Sequence, residues 1–383
     1  MGVLWTRRQV LKLSGASLAA ALLPELAVKA MTGPATPAAA AATSLYDRAF
    51  VLDGNTLASF GYQMTEADGA AHIQALRDSG LTALKTTLGQ GDGTFESTVD
   101  DIAMTQALIE RRPDLFIKVT RADDLERARR ERKIAIVLSF EAASMLEDKL
   151  ERIDLFRHLD VLVMQLSYNR KSPFGYGCLD GDNGGVTELG RKAIARMNAL
   201  GIALDLSHSN AQTTAEGIAL STAPVVITHA GCRSVFDHPR NKTDRDMKAM
   251  ANKGGVMGVY MLPFLTEPSR QPMLADYIRH MVHALDVCGE DHVGIGTDSL
   301  FFTVTDSDLK EVAQQEEARN KAGIGAPGEN RPPYLPDANT PRKLEYVADA
   351  LLKHGYSTRV AEKVLGLNFK RVFGEIWKTD TPV

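Results

Sequence analysis

From residue 45 onward the chain alternates short apolar runs with longer amphipathic stretches, and this alternation limits the fold more than any other feature. Eight runs read as strands: 50–53, 82–87, 134–140, 161–167, 202–206, 225–228, 255–261 and 293–296. Several are nearly unbroken in aliphatic and β-branched residues, as parallel strands buried on both faces require. Helical patterns lie between them. The stretch 67–79 ends at Gly80, 100–111 stops before Pro113, 188–200 ends at Gly201, and 275–287 ends before Gly289. Glycine just past a helix supplies a left-handed cap, and proline cannot continue one. Eight strand–helix units predict an α/β fold of the (β/α)8, TIM-like barrel type. A doubly wound open sheet is the rival. No GxGxxG or GxxxxGK[ST] follows an early strand, which argues against the nucleotide-binding form of that rival. Residues 318–340, rich in glycine and proline, read as a long surface loop. The tail predicts two helices, 342–354 and 358–377, with a break near Gly366.

The first 42 residues do not fit the alternation. Thr6-Arg7-Arg8-Gln9-Val10-Leu11-Lys12 resembles a bacterial twin-arginine export signal, and an apolar stretch, 13–23, follows it. That stretch falls short of the about 20 residues a membrane span needs. Small residues near 28–30 or 38–42 suit a cleavage site. The expected organisation is therefore an export signal and linker over 1–42 and a single barrel domain with C-terminal helices over 43–383, in the periplasm or secreted. The leader carries Arg7, Arg8, Lys12 and Lys29 against Glu25, so its removal takes the net charge from −4 to −7. An acidic chain without a basic excess argues against a dedicated nucleic-acid binder. The run 127–133 reads as a solvated helix face. Three cysteines, Cys178, Cys232 and Cys288, allow one disulfide with a free thiol, or none, and form no CxxC motif.

Barrels of this class carry their chemistry at the C-terminal ends of the strands. Those positions hold Asp53-Gly54-Asn55, Glu141, Tyr168-Asn169, Asp205-Leu206-Ser207-His208, Thr228-His229 and Thr297-Asp298. Glu141, His208 and His229 form the sharpest cluster. Two imidazoles and a carboxylate, with one position left open, make a common catalytic zinc set. Such an ion activates water and polarises a carbonyl. Asp298 could take a proton there and return it to a leaving amine. Asp205 and Ser207 fall on the opposite strand face from His208, so a structural role is expected for them. Arg240, on the loop after the sixth strand, could hold a substrate carboxylate through two hydrogen bonds. His72, His158, His280, His283, His292 and His354 lack convergent partners and read as solvated or satisfied.

The same residues carry a family resemblance. Gly184-Gly185-Val186-Thr187-Glu188-Leu189-Gly190-Arg191, Met197-Asn198, Asp205-Leu206-Ser207-His208 and Thr228-His229-Ala230 lead it. His238-Pro239-Arg240-Asn241, Gly294-Ile295-Gly296-Thr297-Asp298 and 365–373 follow in order. Over roughly 45–377 the chain resembles the membrane dipeptidase (renal dipeptidase) family of zinc peptidases. The resemblance implies a metallo-dependent hydrolase barrel with two zinc ions bridged by a glutamate. It implies that Glu141 is that bridge, that His208 and His229 complete one metal position, that Arg240 binds substrate, and that Asp298 sits at the catalytic centre.

The first strand departs from the family pattern Asp-Gly-His-Asn-Asp. Here it reads Asp53-Gly54-Asn55-Thr56-Leu57. Leucine cannot ligate a metal, and an amide oxygen is a poor substitute for imidazole at zinc. One zinc is therefore expected, with the second site lost. Asn55 and Tyr168, the latter at the position of a family histidine, are expected to face substrate. The reading is an exported, metal-dependent, dipeptidase-like hydrolase acting on a small carboxylate-bearing dipeptide or amide. Its alternatives are a repurposed enzyme that matures a peptide-derived metabolite and a non-catalytic binder using the same pocket. No nucleic-acid partner and no membrane span after signal removal are expected, and a homodimer is admitted.

Overall fold

A computed structural model describes residues 44–56, 69–181 and 183–377. The export signal expected in 1–42 and the metal-incompatible Leu57 lie outside the described residues.

Each of the eight apolar runs is a strand. They are β1 (Leu52–Thr56), β2 (Ala83–Thr87), β4 (Ile134–Ser139), β5 (Val161–Gln165), β6 (Ala203–Asp205), β7 (Val226–Ala230), β8 (Val256–Val259) and β9 (Val293–Ile295). A short additional strand, β3 (Phe116–Lys118), pairs only with β4. All pairings are parallel, in the order β1-β2-β4-β5-β6-β7-β8-β9. The sheet returns on itself through a parallel bridge between Thr56 and Ser299 and through the Asp298 N–H, which donates to the Asn55 carbonyl at 2.7 Å. The result is the nearly closed eight-stranded barrel that the alternation predicts. Strand and helix ends differ from expectation by a few residues, as fraying and capping usually produce.

Helices alternate with the strands, and several start at a capping side chain. Thr94, Thr187, Asn210 and Thr243 each accept a hydrogen bond from a first-turn amide. Between sheet and helices lies a large apolar layer that includes Leu84, Ile136, Met164, Leu204, Ile227 and Met257. A second cluster joins the barrel's inner residues Leu52, Ala83, Val137, Val163 and Val226 to Phe369 and Phe373 of the last helix, Asn368–Ile376. Gly54 and Gly294 make room for this, because a Cβ at either would lie 2.6 Å from the Phe369 ring. The helix docks at the N-terminal ends of the strands, where Asn368 donates to the Val293 carbonyl and Arg371 to those of Gly254 and Asp291. The opposite end of the barrel stays available for chemistry. The expected break near Gly366 is present, where five residues of π-helix join two α-helices.

One expectation needs correction. The stretch read as loop from 318 begins inside a helix, Asp306–Lys321. That helix has no buried residue, so it lacks the apolar stripe that marks a helix in sequence. The three cysteines are free and buried.

Candidate metal centre

Strand register gathers the polar strand ends. Thr87 of β2 lies beside Ser139 of β4, two residues before Glu141. Gln165 of β5 lies beside Asp205 of β6, and Asp205 beside Val226 of β7. Ligand atoms of Glu141, His208 and His229 thereby fall within 4.8 Å of one another, and all three residues are buried. The two histidine Nε2 atoms are 3.0 Å apart, and His208 Nε2 is 3.7 Å from Glu141 Oε2. Two imidazoles on one tetrahedral zinc would sit about 3.3 Å apart, so the donors are close to what a single ion requires.

The protonation states also suit a metal. Burial, helped by the Arg240 charge, holds both imidazoles well below the ordinary histidine range, so both are neutral. Their Nδ1 atoms are already engaged. His208 Nδ1 lies 2.7 Å from Asn169 Oδ1, which can only accept, so the proton sits on Nδ1 and Nε2 is the free ligand atom. His229 Nδ1 lies 2.9 Å from Thr228 Oγ1, and that hydroxyl donates to Asp205 Oδ2 at 2.5 Å. Asp205 also accepts from the Ser207 hydroxyl and the Thr228 amide. The structural role expected for Asp205 and Ser207 is thus to set the tautomer and angle of the His229 ring. Outer partners of this kind orient metal ligands generally.

Asn55 and Asp298 meet on the Glu141 side. The Asn55 amide nitrogen donates to Glu141 Oε1 at 2.6 Å and to Asp298 Oδ1 at 2.8 Å. Its oxygen faces the Thr87 hydroxyl at 3.4 Å, so a flipped amide would put oxygen against two carboxylates. Thr87 Oγ1 also donates to Glu141 Oε1 at 2.5 Å. Asn55 therefore links the two carboxylates with N–H groups, where the family pattern has a metal-ligating histidine. Burial would push Glu141 up, but the Lys85 ammonium and the hydrogen bonds from Thr87 and Asn55 hold the carboxyl low. Burial and the Glu141 charge push Asp298 up. Separated proton affinities in adjacent carboxylates are what acid–base pairs use. Asp298 Oδ2 lies 3.9 Å from His229 Nε2. Its backbone has φ of 49°, a left-handed conformation uncommon outside glycine, and such strain often marks a working residue.

Arg240 is 1% exposed. Its Nη1 donates to the Ser207 carbonyl at 2.6 Å and its Nη2 points at His208 Nε2 from 3.1 Å. Among the described residues it forms no ion pair, so a full positive charge faces the cluster without a carboxylate of its own. Tyr168 stacks on the His208 ring, centroids 4.2 Å apart. Its hydroxyl accepts from Arg319 at 2.6 Å, and Arg319 pairs with Glu329. Asn169 donates to the Ile324 carbonyl, and His238 Nε2 lies 2.8 Å from the Pro327 carbonyl. The segment 319–329 is thereby strapped across the site.

Sequence reading left Lys85, Thr87 and Arg319 out of the site. Lys85 carried a usable signal, as a charged residue inside an otherwise buried run. Four other histidines have partners elsewhere: His158 the Asp154 carbonyl, His280 the Cys232 amide, His283 Asp244 and His292 the Gly255 carbonyl.

A family model described as membrane dipeptidase (peptidase family M19) matches residues 47–317. The chain is 26% identical over 292 residues to dipeptidase verJ of Clonostachys rogersoniana, covering 74% of this chain and 67% of that one. It superposes on an amidohydrolase from Pseudomonas aeruginosa with a TM-score of 0.75 and 29% identity, over 88% of this chain and 98% of the other. A metallopeptidase from Rhodobacter sphaeroides, solved with a phosphinate mimic of the dipeptide L-Ala-D-Ala, shares the fold. Its TM-score is 0.67 at 21% identity, over 86% and 99% of the two chains.

Proposed function

Because the chain belongs to the membrane dipeptidase family, a family of metallopeptidases, we propose that it is an exported hydrolase with a single zinc ion that cleaves an amide bond in a small, carboxylate-bearing, dipeptide-like substrate. The observation that carries this reading is the convergence of Glu141, His208 and His229 in one buried cluster beside Asp298 and Arg240. In this reading Glu141, His208 and His229 would hold the ion. When bound, it supplies Lewis-acid activation of water and of the scissile carbonyl.

The chain's own residues do the rest. Arg240 swings its free charge from His208 onto the substrate carboxylate and fixes the substrate's register through a bidentate contact. Asp298 takes a proton on Oδ2 and delivers it to the leaving amine, and burial beside Glu141 raises its proton affinity for that second step. Tyr168 covers the His208 face, and the strap 319–329 excludes water from the reacting centre. One ion rather than two follows from Asn55, whose amide hydrogens face both carboxylates. Export is supported by Arg7-Arg8 and the apolar stretch that follows them.

The test is hydrolysis of a dipeptide panel by purified protein. Turnover should be lost to a chelator and restored by zinc. Dipeptides with an amidated C-terminus should be cleaved at least tenfold less efficiently than their free acids, since they lack the charge Arg240 binds. Turnover that survives complete metal removal would overturn the reading.

A further inference from the structure

Lys85 sits mid-strand in β2, within Ala83-Leu84-Lys85-Thr86-Thr87. Strand side chains alternate, so Lys85 and Thr87 share a face. Thr87 reaches Glu141 on that face, which places Lys85 one layer deeper in the barrel. Lys85 is wholly buried. Its ammonium donates to the Ser139 hydroxyl at 2.9 Å and forms no ion pair among the described residues. A buried ammonium with a single neutral partner is expensive. What offsets the cost is the negative field of the layer above, where Glu141 and Asp298 both feel the Lys85 charge.

That layer lacks a cation of its own on the Asn55 side. Asn55 ties Glu141 to Asp298 with two N–H donors but brings no net charge. Donor geometry and positive charge are two separable properties of a metal ion, and here they fall on different residues. Resting on the one-metal reading above, we infer that Asn55 and Lys85 together replace a second divalent cation: Asn55 provides the bridge between the carboxylates, Lys85 the charge beneath it, and the pair excludes a second ion.

Zinc titration followed by native mass spectrometry and competition with a chromophoric chelator tests this without any activity measurement. Wild type takes up one zinc. Lys85→Met, close in length and uncharged, removes the repulsion. It should bind the first zinc at least tenfold more tightly or take up a second equivalent. Unchanged affinity and stoichiometry in a folded K85M protein would overturn the inference while leaving the hydrolase reading intact. Wild type that binds no zinc would overturn both. Should K85M fail to fold, Asn55→Asp carries the test. It converts the neutral bridge into a third carboxylate and should admit a second zinc, and a single bound zinc in N55D would contradict the account.

Discussion

Asp298→Asn lowers kcat for dipeptide hydrolysis by about 10²- to 10⁴-fold while leaving the bound metal in place. The substitution is isosteric, so contact with Asn55 and the strained backbone at φ 49° persist. What it removes is a group able to accept a proton and release it again. Asp298 is suited to that task because burial and the Glu141 charge raise its proton affinity above that of an ordinary carboxylate. Asparagine has no such chemistry, so the loss should fall on kcat, with KM changed little. Steady-state kinetics beside metal analysis of the same preparation provide the check. A kcat within threefold of wild type would move the proton-transfer role to another residue.

His208→Ala removes the metal itself. A zinc site holds its ion by about 10–16 kcal/mol spread over its ligands, so one ligand is worth about 3 kcal/mol, or at least about 10²-fold in affinity. The variant also leaves Asn169, Arg240 and the Tyr168 ring without the imidazole they now contact. Turnover should fall to background and the purified variant should carry under a tenth of an equivalent of zinc. Near-ultraviolet circular dichroism separates this from unfolding, because the barrel's two apolar clusters do not depend on His208. Wild-type turnover in a metal-free H208A protein would remove the metal from the mechanism.

The barrel was legible in the sequence because parallel strands buried on both faces leave nearly unbroken apolar runs, and all eight runs are strands. Glu141, His208 and His229 were legible for a related reason. A titratable group that ends such a run is held at the mouth of the barrel whatever its loop does. The helix Asp306–Lys321 escaped notice because it has no continuous apolar stripe and buries no residue. Lys85 was absorbed into its apolar run, since period alone cannot tell a charge inside the barrel from one outside. The Asp205–Thr228–His229 relay needed three-dimensional register. Only the structure shows that Thr228 links His229 to a carboxylate on the neighbouring strand.

The direct measurement is the metal content of the purified protein, counted per chain by native mass spectrometry with elemental analysis. One zinc per chain, lost in H208A and retained in D298N, is the result expected from a site closed on one side by Asn55. Two zinc ions per wild-type chain would contradict it.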